Sequence, residues 1–173
     1  MCGITGVINF NKKKINARNC VEKINNYQRS RGPDGDSIWS SNDNLITFGH
    51  TRLSIIDLSN EGVQPFISYD QNYVITYNGE IYNYKELKNF LIKKNVKFKS
   101  NSDTEVILES YKYWGIDFLE KIRGMYAFCI FDIKKRNIIL ARDRFGIKPL
   151  YYSEINGVFY FASQAKSLLQ IEN

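Results

Sequence analysis

The segment Met125 to Asp132, MYAFCIFD, carries apolar side chains at consecutive positions. Successive side chains of a strand point to opposite faces. A strand of this composition must therefore be covered on both sides, which demands at least two further layers of structure. Few folds satisfy that demand in 173 residues, a length that suits one domain with a core of its own.

The surrounding segments supply candidate layers. Residues 3 to 10 read as a strand through Ile4, Val7, Ile8 and Phe10, and residues 16 to 29 as a helix. LITFGHTRLSIIDL, residues 45 to 58, reads as strand, turn and a further extended piece, and Tyr73 to Tyr77, YVITY, as a β-branched and aromatic strand. Asn83 with Glu86 predicts a helix start resembling a capping box, followed by Leu87, Phe90 and Leu91 at helical spacing. Ser102 with Glu105 predicts a second box, ahead of Val106, Ile107, Ser110, Tyr111 and Trp114. Beyond MYAFCIFD, Lys134 to Asn137 form a polar turn into a strand over Ile138 to Arg142. Leu150 to Ser153 and Val158 to Ala162 flank Asn156-Gly157, a type I′ hairpin signal, and Ser163 to Leu169 reads as a closing helix. Hairpins with helices grouped between them, rather than βαβ alternation, point to an α+β antiparallel sandwich of two sheets covered by helices.

Several function classes drop out on composition. No apolar run reaches the ~18 residues of a membrane span, and the start MCGITGVINF lacks the features of a signal peptide. The expectation is a soluble cytoplasmic chain. Cys2, Cys20 and Cys129 have neither metal-ligand nor disulfide-framework spacing, and His50 is the sole histidine, so no metal site is expected. The net charge of +6 comes from lysines scattered over turns and polar helix faces, at Lys12 to Lys14, Lys85 to Lys99, Lys134 and Lys135. That pattern describes a solvated surface, not a nucleic-acid site.

Cys2 offers chemistry that the rest of the composition does not. Its small side chain permits removal of Met1, which leaves a free α-amine on the residue that carries the thiol. An α-amine titrates near ~7.7–8.0 and a thiol near ~8.5, so the amine can take the thiol proton close to neutral pH. Nucleophile and base then share one residue, and no histidine is needed. Gly3 leaves room beside it. Asn78-Gly79-Glu80 is a preferred turn composition, and equally an amide and a backbone N–H able to face a developing oxyanion. Arg52 is either a surface charge or a fork for a carboxylate. Asp103 either complements a helix dipole or faces an ammonium group. Arg31-Gly32-Pro33-Asp34-Gly35 is a turn by composition. Asp143 to Pro149, DRFGIKP, reads as a charged connector whose glycine spacing rules out a phosphate loop. Cys20, on a helix, and Cys129, in a core strand, read as inert.

MCGITGV, RGPDG, GHTRLSIIDL, QPF, YNGEIYNYKEL, SDTEVIL, GMYAFCIFD, ARDRFGIKPLYY and FASQAKSLL occur in this order across nearly the whole chain. As an ordered set they resemble the glutaminase domain of glutamine-dependent asparagine synthetases, among the class II (N-terminal nucleophile) amidotransferases. The resemblance implies the four-layer α/β/β/α N-terminal nucleophile hydrolase fold over residues 1–173. It implies Cys2 as nucleophile acting through its own amine, and Asn78 and Gly79 as the oxyanion hole. Arg52 would bind the glutamine α-carboxylate and Asp103 its α-ammonium. Glu80 would lie beside the site and contact substrate, and Arg31 would support the loop closing over glutamine. Gln164 departs from a family pattern that often has Glu there. Family members continue into a second domain that binds ATP and magnesium and receives ammonia. The expectation is that this chain lacks it, holds no cofactor itself, yields glutamate and ammonia alone, and works with a separate synthetase domain or subunit. A homodimer, another ammonia acceptor such as a sugar or other carboxylate, and a catalytically silent binding or regulatory module are left open by these residues.

Overall fold

The computed structural model describes residues 1–54 and 62–171. The part of the predicted extended piece from Ile55 onward lies outside the described residues. The elements run β1 (Gly3–Ile8), α1 (Ala17–Tyr27), β2 (Gly35–Ser40), β3 (Ile46–Arg52), β4 (Phe66–Ile67), β5 (Tyr73–Ile81), α2 (Tyr84–Lys93), α3 (Asp103–Trp114), β6 (Gly124–Asp132), β7 (Asn137–Arg142), β8 (Tyr151–Ile155), β9 (Val158–Ala162) and α4 (Ala165–Leu168). One sheet has the order β2-β3-β1-β9-β8 and the other β4-β5-β6-β7, with antiparallel pairing throughout.

The two-faced strand explains the layering. On β6, Ala127, Cys129 and Phe131 point to the first sheet and pack with Ile4, Phe48 and Phe161. Tyr126, Phe128 and Ile130 point the other way, onto Val106, Ile107 and Tyr111 of α3 and Leu87 of α2. On the far side of the first sheet, Val21 and Ile24 of α1 cover Val7, Tyr160 and Ala162. The order is helix, sheet, sheet, helix, the α/β/β/α sandwich expected above. Phe48, Phe128, Phe131 and Phe161 are all fully buried, each contributing about 1.5–3 kcal/mol by burial.

Local signals hold where their partners are local. Asn16 caps α1, its side chain accepting from Asn19 N–H at 3.0 Å. Asn156 and Gly157 take φ of 54° and 77°, the pair of positive values that a type I′ hairpin turn requires. Four expectations need correction. Asn78-Gly79-Glu80 is not a turn but the continuation of β5, because Asn78 to Ile81 pair with Ala127 to Gly124 of β6. The Asn83 side chain makes no helix-capping bond; it grips the loop before β6, donating to Lys121 O and accepting from Arg123 N–H, each at 2.9 Å. At α3 only half a capping box forms. Ser102 Oγ accepts from Glu105 N–H at 3.4 Å, while the Glu105 carboxylate turns to Lys99 N–H and Ser100 N–H. The closing helix starts two residues later than predicted, at Ala165, and runs on as a 3-10 turn to Ile171; the Ser163 hydroxyl instead accepts from Ile4 N–H at 2.9 Å.

Candidate active site

The sheets are tied together at one end by polar bonds. Thr76 Oγ1 on β5 donates to Gly49 O on β3 at 3.0 Å, and His50 Nε2 on β3 lies 3.2 Å from Tyr77 O on β5. A carbonyl only accepts, so Nε2 carries the imidazole proton. Beyond these ties a cavity of about 100 Å³ opens, walled by Cys2, Arg52, Asn78, Gly79 and Asp103 together with Met1 and Lys148. Residues far apart in the chain meet here because the start of β1, the end of β3, the middle of β5 and the first turn of α3 converge.

Cys2 precedes β1. Its Sγ accepts from Leu53 N–H at 3.3 Å, and its carbonyl accepts from Arg31 Nε at 3.0 Å. Burial pushes the thiol pKa up; the Leu53 contact, the N-terminal ammonium, Arg52 and Lys148 counter it only in part. Arg52 ends β3 and faces the cavity. The turn beside it is tightly held. Asp34 N–H donates to Arg52 O, and the Asp34 carboxylate accepts from Ser54 N–H at 2.7 Å. Gly32 is needed there, because a Cβ would lie 2.2 Å from the Thr51 carbonyl carbon.

Asn78 shares a strand face with Thr76, toward the first sheet. It is 3% exposed, and among the described residues its Nδ2 has no hydrogen-bond partner. A buried donor left unpaired costs about 1–3 kcal/mol, and this one borders the cavity that holds the thiol. Gly79 follows, where a Cβ would meet Met125 O at 2.4 Å and the Tyr77 ring at 2.6 Å. Asp103 opens α3. Its Oδ2 accepts from Tyr77 OH at 2.7 Å and from Ile81 N–H at 3.0 Å. Burial raises its pKa; these hydrogen bonds oppose the rise and Glu80 adds to it.

The structure thus gathers Cys2, Arg52, Asn78, Gly79 and Asp103 around one cavity. It does not bring the other two predicted residues into that wall. Glu80 is exposed at the end of β5, and Arg31 sits behind Cys2, half-buried. Burial lowers the Arg31 pKa, and its Nη2 has no partner among the described residues.

Sequence reasoning passed over Tyr77, Gln64, His50 and Lys148. Tyr77 is fixed at three points: by His50 at its carbonyl, by Asp103 at its hydroxyl, and by Gln64 Oε1, which accepts from its N–H at 2.6 Å. Burial holds the His50 pKa down to about 4, so it is neutral at physiological pH. Gln64 stands in the QPF motif and Lys148 in DRFGIKP, whose spacing carries no signal for a site. Cys129 is fully buried and Cys20 half-buried, and burial raises both thiols. Among the described residues no helix is long and apolar enough to cross a membrane.

A thiol, an unpaired amide donor, a guanidinium and a carboxylate around one cavity suit attack on the carbonyl of a small zwitterion. A family model described as "Glutamine amidotransferase domain" matches residues 1–173. Asparagine synthetase [glutamine-hydrolyzing] 1 of Bacillus subtilis is 44% identical over all of this chain and 27% of its own length. Putative asparagine synthetase [glutamine-hydrolyzing] 2 of Methanocaldococcus jannaschii is 41% identical over 99% of this chain and 36% of its own. Asparagine synthetase B [glutamine-hydrolyzing] of Escherichia coli is 38% identical over 99% and 30%. The chain spans about a third or less of the length of these relatives. The solved structure of glutamine phosphoribosylpyrophosphate amidotransferase from B. subtilis superposes with a TM-score of 0.82 at 22% identity, over 98% of this chain and 43% of that one. Fold, site and sequence concur: the chain belongs to the class II glutamine amidotransferase domain family and is related to the glutamine-hydrolysing asparagine synthetases.

Proposed function

We propose that this domain hydrolyses glutamine through a Cys2 thioester and supplies the ammonia for ATP-dependent asparagine synthesis on a synthetase domain or subunit. The observation that supports this most is the unpaired Asn78 amide in the same cavity as Cys2 Sγ, flanked by one guanidinium and one carboxylate. On this reading Arg52 pairs with the α-carboxylate of glutamine and Asp103 with its α-ammonium. Gripping both ends selects the free amino acid over a peptide-bound glutamine and positions its carboxamide at sulfur.

Met1 occupies part of the cavity wall, so its removal both widens the site and frees the base. The amine of residue 2 takes the thiol proton, and the thiolate attacks the carboxamide carbon. As the C–S bond forms, charge moves to the oxygen, where Asn78 Nδ2 and Gly79 N–H receive it. Collapse breaks the C–N bond, and the proton held on the amine leaves with nitrogen as ammonia. Water, deprotonated by the same amine, then attacks the γ-glutamyl thioester and releases glutamate and the thiol. Arg31, bonded to the Cys2 carbonyl, holds the nucleophile's backbone. The shared family with the asparagine synthetases favours a carboxylate acceptor activated by ATP and magnesium, both bound outside this domain.

The test is glutamate release from glutamine by purified chain whose intact mass shows Met1 removed, beside Cys2→Ala. Release by the processed wild type, absent from the variant, is expected. Activity from a preparation that still carries Met1 would refute the amine-as-base mechanism, and a folded, processed but inert wild type would favour the silent module.

A further inference from the structure

The loop between β7 and β8, residues 143–149, is organised by one carboxylate. Asp143 accepts from the backbone N–H groups of Tyr126, Phe145, Ile147 and Lys148, at 3.2, 3.2, 2.9 and 3.0 Å. A loop tied at four points holds its side chains in place. It directs Lys148 inward: the residue is 7% exposed and borders the cavity that contains Cys2. Burying an ammonium is costly unless a counter-charge or a task offsets it. Among the described residues no carboxylate pairs with Lys148, and its Nζ contacts Met1 Sδ at 3.6 Å. Met1 is bonded to the nitrogen of Cys2. Lys148 thus shares the cavity wall with Cys2 and is near enough for its charge to act on the thiol.

We propose that Lys148 sets the charge state of residue 2, easing ionisation of the thiol and keeping the resting α-amine unprotonated so that it can take the thiol proton. The inference rests on the proposed role of Cys2. A positive neighbour stabilises the sulfur anion and destabilises a second ammonium, so one cation tunes both halves of the nucleophile–base pair. The charged groups around Cys2 support this division of labour. Arg52 from β3 also lowers the thiol pKa, but on the proposed reading it is taken by the substrate carboxylate. Arg31 lies on the carbonyl side. On β5 the Tyr77 hydroxyl is spent on Asp103, and Glu80 is exposed. Asp103 of α3, the one carboxylate in the wall among the described residues, awaits the substrate ammonium. Among the described residues Lys148 is left as the cation with no competing duty, and it acts as a positioning residue, not as a group that reacts.

The test uses processed wild type, Lys148→Met, Lys148→Gln and Lys148→Arg. The rate of Cys2 alkylation by iodoacetamide is followed against pH by mass analysis of the N-terminal peptide, which separates Cys2 from Cys20 and Cys129. The midpoint is expected to rise by about one pH unit in the Met and Gln variants and to stay near wild type in the Arg variant. The acid limb of kcat/KM for glutamine is expected to move with it. An unmoved alkylation midpoint in a folded uncharged variant overturns the proposal, whatever the turnover. A midpoint that moves equally with Arg overturns it too, since shape rather than charge would then be at work. Should the midpoint move as expected in proteins that never hydrolyse glutamine, Lys148 is confirmed and the glutaminase reading fails instead.

Discussion

Replacing His50, the sole histidine of the chain, by Gln should flatten the acid dependence of stability. His50 is 1% exposed, and burial keeps its pKa down to about 4. In the unfolded chain an imidazole titrates near ~6.5. Between these values the unfolded state holds a proton that the folded state refuses, so stability rises with pH. The contribution is complete above about 6.5 and is lost as the pH falls toward about 4. A difference of about two and a half pKa units, at 1.36 kcal/mol each, makes the loss about 3 kcal/mol by pH 4. That is a large share of the ~5–15 kcal/mol that holds a domain folded. Gln cannot titrate, yet keeps an N–H for the Tyr77 carbonyl. Urea unfolding of both proteins at intervals from pH 7 to pH 4 gives the comparison. Asp103 works in the opposite direction: its raised pKa makes its contribution fall as pH rises. Being common to both proteins, it cancels in the difference. Parallel stability curves would refute the linkage, and with it the picture of a neutral imidazole clamped between the sheets.

Two further outcomes bear on the site itself. Asn78→Ala should lower kcat for glutamate release about 10²–10³-fold with KM changed only a few-fold, because the lost donor acts on the developing oxyanion; a kcat within fivefold of wild type would remove Asn78 from the oxyanion hole. Asp103→Asn should raise KM for glutamine about a hundredfold, the worth of a charge-assisted contact or two, while thermal stability at pH 7 stays level or rises, because a neutral amide oxygen still accepts from Tyr77 OH and Ile81 N–H without a buried charge. Unchanged KM would place the substrate ammonium elsewhere.

What was legible in the chain divides by the reach of the interaction concerned. Tandem apolar residues on β6 announced a strand covered on both faces, and Asn156-Gly157 a hairpin, because each signal is complete within a few residues. Asn78-Gly79 has the local chemistry of a turn, yet it lies in β5 because Gly124 to Ala127 pair with it from more than forty residues away. Asn83 has the chemistry of a cap, yet its amide is claimed by Lys121 and Arg123. In both cases a long-range partner outbid a local preference worth about 1 kcal/mol or less. Cys2, Arg52, Asn78, Gly79 and Asp103, each ambiguous alone, were singled out by the ordered set of motifs, and the structure gathers them around one cavity. Tyr77 and Lys148 were not, for both stand within those motifs but residue type alone gives neither a duty. Their places become visible only when Asp103 reaches the Tyr77 hydroxyl and when the Asp143 loop turns Lys148 toward the cavity that Cys2 lines at the other end of the chain. Candidate reacting groups can be read from residue type and order, whereas the side chains that surround them come into view only with the register of the two sheets.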